Sequence, residues 1–126
     1  MDNKQILYAP SSHLKLIEIG NNQFSVYLTN HIVNLLKNPN YIDYPQVGTI
    51  FNSQEQFGCI ETGKLTFSLS LPFAGEILEV NAELPITIEQ AINNVEDAFL
   101  CVIKIVELDY GQSLVNEEEY NEYIGL

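Results

Sequence analysis

Leu65, Phe67, Leu69 and Leu71 alternate with Thr66, Ser68 and Ser70, and a period of two turns successive side chains to opposite faces of the backbone. Such a run can bury its apolar half only as a strand, so the spacing predicts a half-buried β-strand here. A second apolar run, Phe57-Gly58-Cys59-Ile60, precedes it, and the polar stretch Glu61-Thr62-Gly63-Lys64 lies between. Together they predict a hairpin over residues 57–71. Gly63 offers the positive φ that tight turns demand, and Lys64 is held out at the tip.

The same pattern recurs along the chain. Leu14–Ile19 and Gln23–Leu28 flank Gly20-Asn21-Asn22, a second hairpin signal; Tyr41–Tyr44, Thr49–Phe51 and Glu76–Val80 read as further short strands, and Phe99–Val106 as a buried one. Thr29 can cap a short helix reaching Lys37, where Asn38-Pro39 stops it. Thr87–Asn94 suits two helical turns, and Asn116 can cap a terminal acidic helix over 116–123. Residues 1–12 read as an irregular lead-in. With no linker and no repeat, the expectation is a single domain over 1–126, mainly β with two or three short peripheral helices.

Charge narrows the function. The 126 residues carry a net charge of −12, with five lysines and no arginine. Nucleic-acid affinity comes from cations displacing counterions, so no nucleic-acid partner is expected, and no anionic membrane surface either. Basic faces on partner proteins suit this chain instead. Met1–Pro10 lacks the charged and apolar regions of a secretion signal, and no run approaches a membrane span, which points to the cytoplasm. Cys59 and Cys101 fall inside apolar runs and read as buried thiols, with a disulfide or redox pair the lesser alternative.

No metal-ligand spacing joins His13 or His31 to a cysteine or carboxylate cluster. No nucleophile elbow, glycine-rich phosphate loop or dinucleotide fingerprint is present. The expectation is therefore a protein that is not an enzyme, with no catalytic residue and no metal. Lys64 is the one cation between Lys37 and Lys104, an interval holding nine carboxylates. An amine raised on a hairpin tip is open to covalent modification.

At these residues the chain resembles the H protein family of the glycine cleavage system. Glu61-Thr62-Gly63-Lys64 is similar to the family's Glu-Ser-Val-Lys tip, whose lysine bears lipoic acid. Tyr44-Pro45-Gln46-Val47-Gly48 resembles Leu-Pro-Glu-Val-Gly, and Leu71-Pro72-Phe73-Ala74-Gly75-Glu76-Ile77-Leu78-Glu79-Val80-Asn81 resembles Ala-Pro-Val-Ser-Gly-Glu-Val-Val-Glu-Val-Asn. Gly48 and Gly75 stand sixteen residues before and eleven after Lys64, as in lipoyl domains. More loosely, Val26-Tyr27-Leu28-Thr29 and Ile103-Lys104-Ile105 resemble the family's Val-Gly-Ile-Thr and Ile-Lys-Ile.

The resemblance implies a barrel-sandwich hybrid of the lipoyl/biotinyl type, with lipoate attached covalently to Lys64 and Glu61 recognised by the lipoylating enzyme. It implies a carrier that shuttles a lipoyl-bound intermediate, aminomethyl in glycine cleavage. Its partners would be a lipoate ligase or transferase, glycine decarboxylase, aminomethyltransferase and dihydrolipoyl dehydrogenase. The chain departs from the family at His13-Leu14-Lys15, where the family has His-Glu-Trp. It departs again at 93–101, which lacks the proline, glycines and tryptophan of the late loop, and at Gly63 and Leu65 beside the lysine. Those departures motivate an alternative, an unmodified H-like binding or regulatory module acting through its acidic surface. A biotin carrier is weaker, because the methionines that flank a biotinyl lysine are absent.

Overall fold

A computed structural model describes residues 5–36, 41–81, 99–106 and 113–125. The hairpin seeded at Gly20-Asn21-Asn22 forms as β2 (Leu14–Gly20) and β3 (Gln23–Leu28). Asn22 takes the positive φ that closes it, and a bulge falls between Glu18 and Gly20. Alternation decides what each strand buries: Leu14, Leu16, Phe24 and Val26 point into the core.

Among the described residues nine strands build two antiparallel sheets. The larger runs β1 (Ile6–Ala9), β2, β3, β9 (Cys101–Ile105), β8 (Gly75–Val80) and β5 (Ile50–Phe51), in that order. The smaller runs β4 (Tyr41–Asp43), β6 (Gly58–Glu61) and β7 (Thr66–Leu69). Both contribute to one core, in which Phe24, Phe51, Phe73, Leu16, Ile60, Leu69, Ile77 and Ile103 are fully buried. The strand expected over Phe99–Val106 is confined to Cys101–Ile105, and in β8 a bulge between Ile77 and Glu79 lets Ile77 stay buried while Glu79 faces out.

One correction concerns the start of the chain. Residues 6–9, expected within an irregular lead-in, are a strand paired with β2 from Ile6↔Ile17 to Ala9↔Leu14. A 3-10 turn over Pro10–Ser12 follows. The signal was weak because Ile-Leu-Tyr-Ala does not alternate. Tyr8 and Ala9 are both buried, one against the C-terminal helix and the other in the core.

Two α-helices are described. In α1 (Asn30–Leu36) the Thr29 hydroxyl accepts a hydrogen bond from the Ile32 amide, as an N-cap does, and Ile32, Val33 and Leu36 are buried. In α2 (Glu117–Tyr123) Asn116 and Glu119 make a reciprocal capping box at 2.8 and 3.1 Å. The expected helix over 87–94, and the Lys37-Asn38-Pro39 stop, lie outside the described residues.

Two glycines matter for a reason other than turning. A Cβ at Gly75 would meet Phe51 Cζ at 2.7 Å and the Lys104 carbonyl at 2.8 Å, and one at Gly58 would meet the Asp43 carbonyl at 2.7 Å. These are places where neighbouring strands press together. Gly48 does turn the chain, with φ of 90°.

Candidate functional site

The Lys64 hairpin grows directly from its register. Gly58 faces Leu69, Cys59 faces Ser68, Ile60 faces Phe67 and Glu61 faces Thr66, so Ile60 and Leu69 are buried while Thr66 and Ser68 face out. On the other side of β6, Tyr41 pairs with Glu61 and Asp43 with Cys59. Tyr41, Glu61 and Thr66 therefore form one cross-strand row on the outer face, immediately before the tip. Tyr41 is 55% exposed there.

The tip is closed by a side chain. The Thr62 amide donates to the Leu65 carbonyl at 2.8 Å. In return the Leu65 amide donates to the Thr62 hydroxyl at 2.9 Å, and the Lys64 amide donates to that hydroxyl at 3.2 Å. The Thr62 hydroxyl thus supplies turn chemistry at the tip beside Gly63. Leu65, expected to begin the strand, sits in the turn and is 51% exposed.

Lys64 is exposed. Two other lysines are described, and both sit within the large sheet. Lys15 places its ammonium 5.4 Å from the centre of the Tyr27 ring, and Lys104 lies across from Glu76 in the β8–β9 ladder. Of these three, Lys64 alone stands on a turn. An amide-linked arm there would start on an exposed turn, clear of the sheets.

The cysteines divide. Cys101 is buried, and desolvation pushes its thiol up to about 12. Cys59, expected to be buried, is only half so and lies on the outer face. Its thiol is also shifted up, first by burial and then by the charges of Glu61 and Asp43. Both thiols are free and both are held protonated.

A second polar cluster escaped the sequence reading. Register forces it: Leu14 pairs with Leu28, so His13 and Thr29, one residue beyond each, become neighbours. Thr29 Oγ1 donates to the His13 carbonyl at 3.0 Å, Tyr120 donates to Thr29 Oγ1 at 3.1 Å, and His13 Nδ1 lies 2.8 Å from the Tyr120 hydroxyl. With both hydroxyl protons committed, the proton on the last bond must belong to Nδ1, and the three bonds close a ring. His31 packs 5.0 Å from His13, and Tyr8 stacks on Tyr120 at 4.9 Å while bonding Glu117. Burial, and then the His31 charge, lower the His13 pKa. Among the described residues no group of three or more His, Cys, Asp or Glu is arranged to hold a metal.

Two antiparallel sheets around one core, with a lysine on a tight hairpin of the smaller sheet, define a barrel-sandwich hybrid. The same fold occurs in a glycine cleavage system H protein from Mycobacterium marinum, which superposes with a TM-score of 0.77 over 96% of this chain and 97% of that one, at 21% identity. The family profile described as glycine cleavage H-protein matches residues 7–125. The chain belongs to the glycine cleavage H-protein family. Glycine cleavage system H proteins from Pectobacterium atrosepticum and Chromohalobacter salexigens are 30% and 28% identical to it, over 92% and 90% of this chain and 89% and 87% of theirs. A mitochondrial relative from Arabidopsis thaliana is 24% identical over 95% of this chain.

Proposed function

We propose that this chain acts as a single-domain lipoyl carrier, with lipoate in amide linkage to Lys64 and Glu61 read by the enzyme that attaches it. The observation that supports this reading best is the setting of Lys64, an exposed amine on a side-chain-closed turn. Glu61 lies one ladder position before that turn, in the outer row with Tyr41 and Thr66. The chain itself supplies attachment, reach and recognition and has no catalytic residue in this scheme.

When bound, lipoate supplies a dithiolane that accepts and releases a group and is then reoxidised. The sheets keep the attachment point fixed while the arm moves. As a glycine cleavage carrier the protein would meet a lipoate ligase or transferase, glycine decarboxylase, aminomethyltransferase and dihydrolipoyl dehydrogenase, in the cytoplasm of its host. No described helix is long and apolar enough to cross a membrane.

One observation favours a second reading, an unmodified H-like module. Leu14, where the family has glutamate, is fully buried, and Lys15 is occupied with Tyr27, so neither offers a polar contact to a loaded arm. Intact mass separates the two readings. Purified protein incubated with a lipoate ligase, lipoate and ATP should gain one lipoyl group, and Lys64→Arg should gain none. A wild-type chain that stays bare while a homologous H protein is loaded in the same tube would reject the carrier.

A further inference from the structure

We infer that Thr62 is a positioning residue for modification of Lys64: its hydroxyl holds the tip in the conformation the lipoate-attaching enzyme binds. The inference rests on the carrier reading. In an ordinary two-residue hairpin the residues flanking the turn exchange two backbone bonds. Here only one is made between backbone atoms, from the Thr62 amide to the Leu65 carbonyl, and the Leu65 amide turns to the Thr62 hydroxyl. That oxygen also accepts from the Lys64 amide, so the peptide groups on both sides of Lys64 hang from one side-chain atom.

The hydroxyl is exposed to competition from water, and so is the whole tip, since residues 63–66 are exposed. Without an acceptor at position 62, the Leu65 amide can bond the residue 62 carbonyl instead. That bond belongs to a primed turn, which Gly63 can enter at no steric cost and which rotates the peptide leading into Lys64. The tip would then populate several conformations, and the apparent affinity of any enzyme that binds one of them falls with that population.

In the loading step the Lys64 Nζ lone pair attacks the carbonyl carbon of an acyl-adenylate of lipoate. A C–N amide bond forms, the C–O bond to the adenylate breaks and AMP departs, with the amine's proton passing to solvent. Thr62 takes no part in that chemistry. Its loss should act on binding.

The test compares Thr62→Val, which keeps the shape and loses the acceptor, with Thr62→Ser, which keeps the acceptor. Steady-state loading by a lipoate ligase should give Thr62→Val a KM raised about tenfold with kcat unchanged, equivalent to about 1.4 kcal/mol. Thr62→Ser should stay within about twofold of wild type. Amide hydrogen exchange at Lys64 and Leu65 should speed up in the valine variant alone, while its melting temperature stays within a degree or two. Equal KM values for wild type and Thr62→Val, or a serine variant as poor as valine, overturn the inference. If wild type takes up no lipoyl group, the carrier reading itself falls.

Discussion

His13, Thr29 and Tyr120 tie three distant parts of the chain through three hydrogen bonds, and none of the three is replaceable by a group of the same size without orphaning a partner. Tyr120→Phe removes a donor and an acceptor from a buried position; it should destabilise the protein by about 1–3 kcal/mol, read as a lower urea midpoint with unchanged slope. The ring also carries a pH dependence. Burial and then His31 hold the His13 pKa below its ordinary 6.5, with Tyr120 and Tyr123 also facing the imidazole. In the interval just below pH 6.5 the unfolded chain therefore binds a proton that the folded one refuses. Stability is full above that value and falls as the pH drops through the folded pKa. Urea titrations between pH 7.5 and 5 should show this decline (pH values roughly spanning the His range), and His13→Gln should flatten it.

Elements reveal which parts of this chain could be read beforehand. The β2–β3 hairpin, the Lys64 hairpin and the Asn116 cap follow from local signals: alternation, a turn cluster, a cap with glutamate three residues on. β1 is not legible because its residues do not alternate and part of its burial, at Tyr8, comes from α2, more than a hundred positions away, and the His13 cluster is not legible because only strand register brings His13 and Thr29 together. The part Thr62 plays at the tip is not legible, since a hydroxyl that bonds neighbouring amides leaves no mark on hydrophobic periodicity. Lys64 and Glu61 stood out through charge isolation and the matched motif. Strand packing makes a sharper claim than turn propensity for Gly75. Gly75→Ala drives a Cβ against Phe51 and a backbone carbonyl, and should cost about 1–3 kcal/mol or more, whereas Gly20→Ala meets nothing within 4 Å and should leave the melting temperature nearly unchanged. Asn116→Ala should cost about 1 kcal/mol by opening the capping box, seen by thermal unfolding.

At the scale of the whole molecule, the net charge of −12 sets how partners arrive. A partner presenting a basic face is drawn in over roughly a Debye length, about 10 Å at 0.1 M salt and 3 Å at 1 M. Stopped-flow association with a lipoate-attaching enzyme should therefore slow steeply as salt rises, with dissociation much less affected. The Lys64 tip brings a cation into that field, and an amide on Lys64 would remove it, so a loaded chain would be one unit more negative and should elute later on anion exchange.

The stacking of Tyr8 on Tyr120 also orders events during synthesis. Tyr8 is made more than a hundred residues before the ring that covers it. Until α2 emerges, β1 pairs with β2 but keeps an aromatic face bare, and Thr29 and His13 lack their third partner. A nascent chain stalled before Asn116 would thus display a sticky, protease-sensitive β1, and one extended past Tyr123 would hide it.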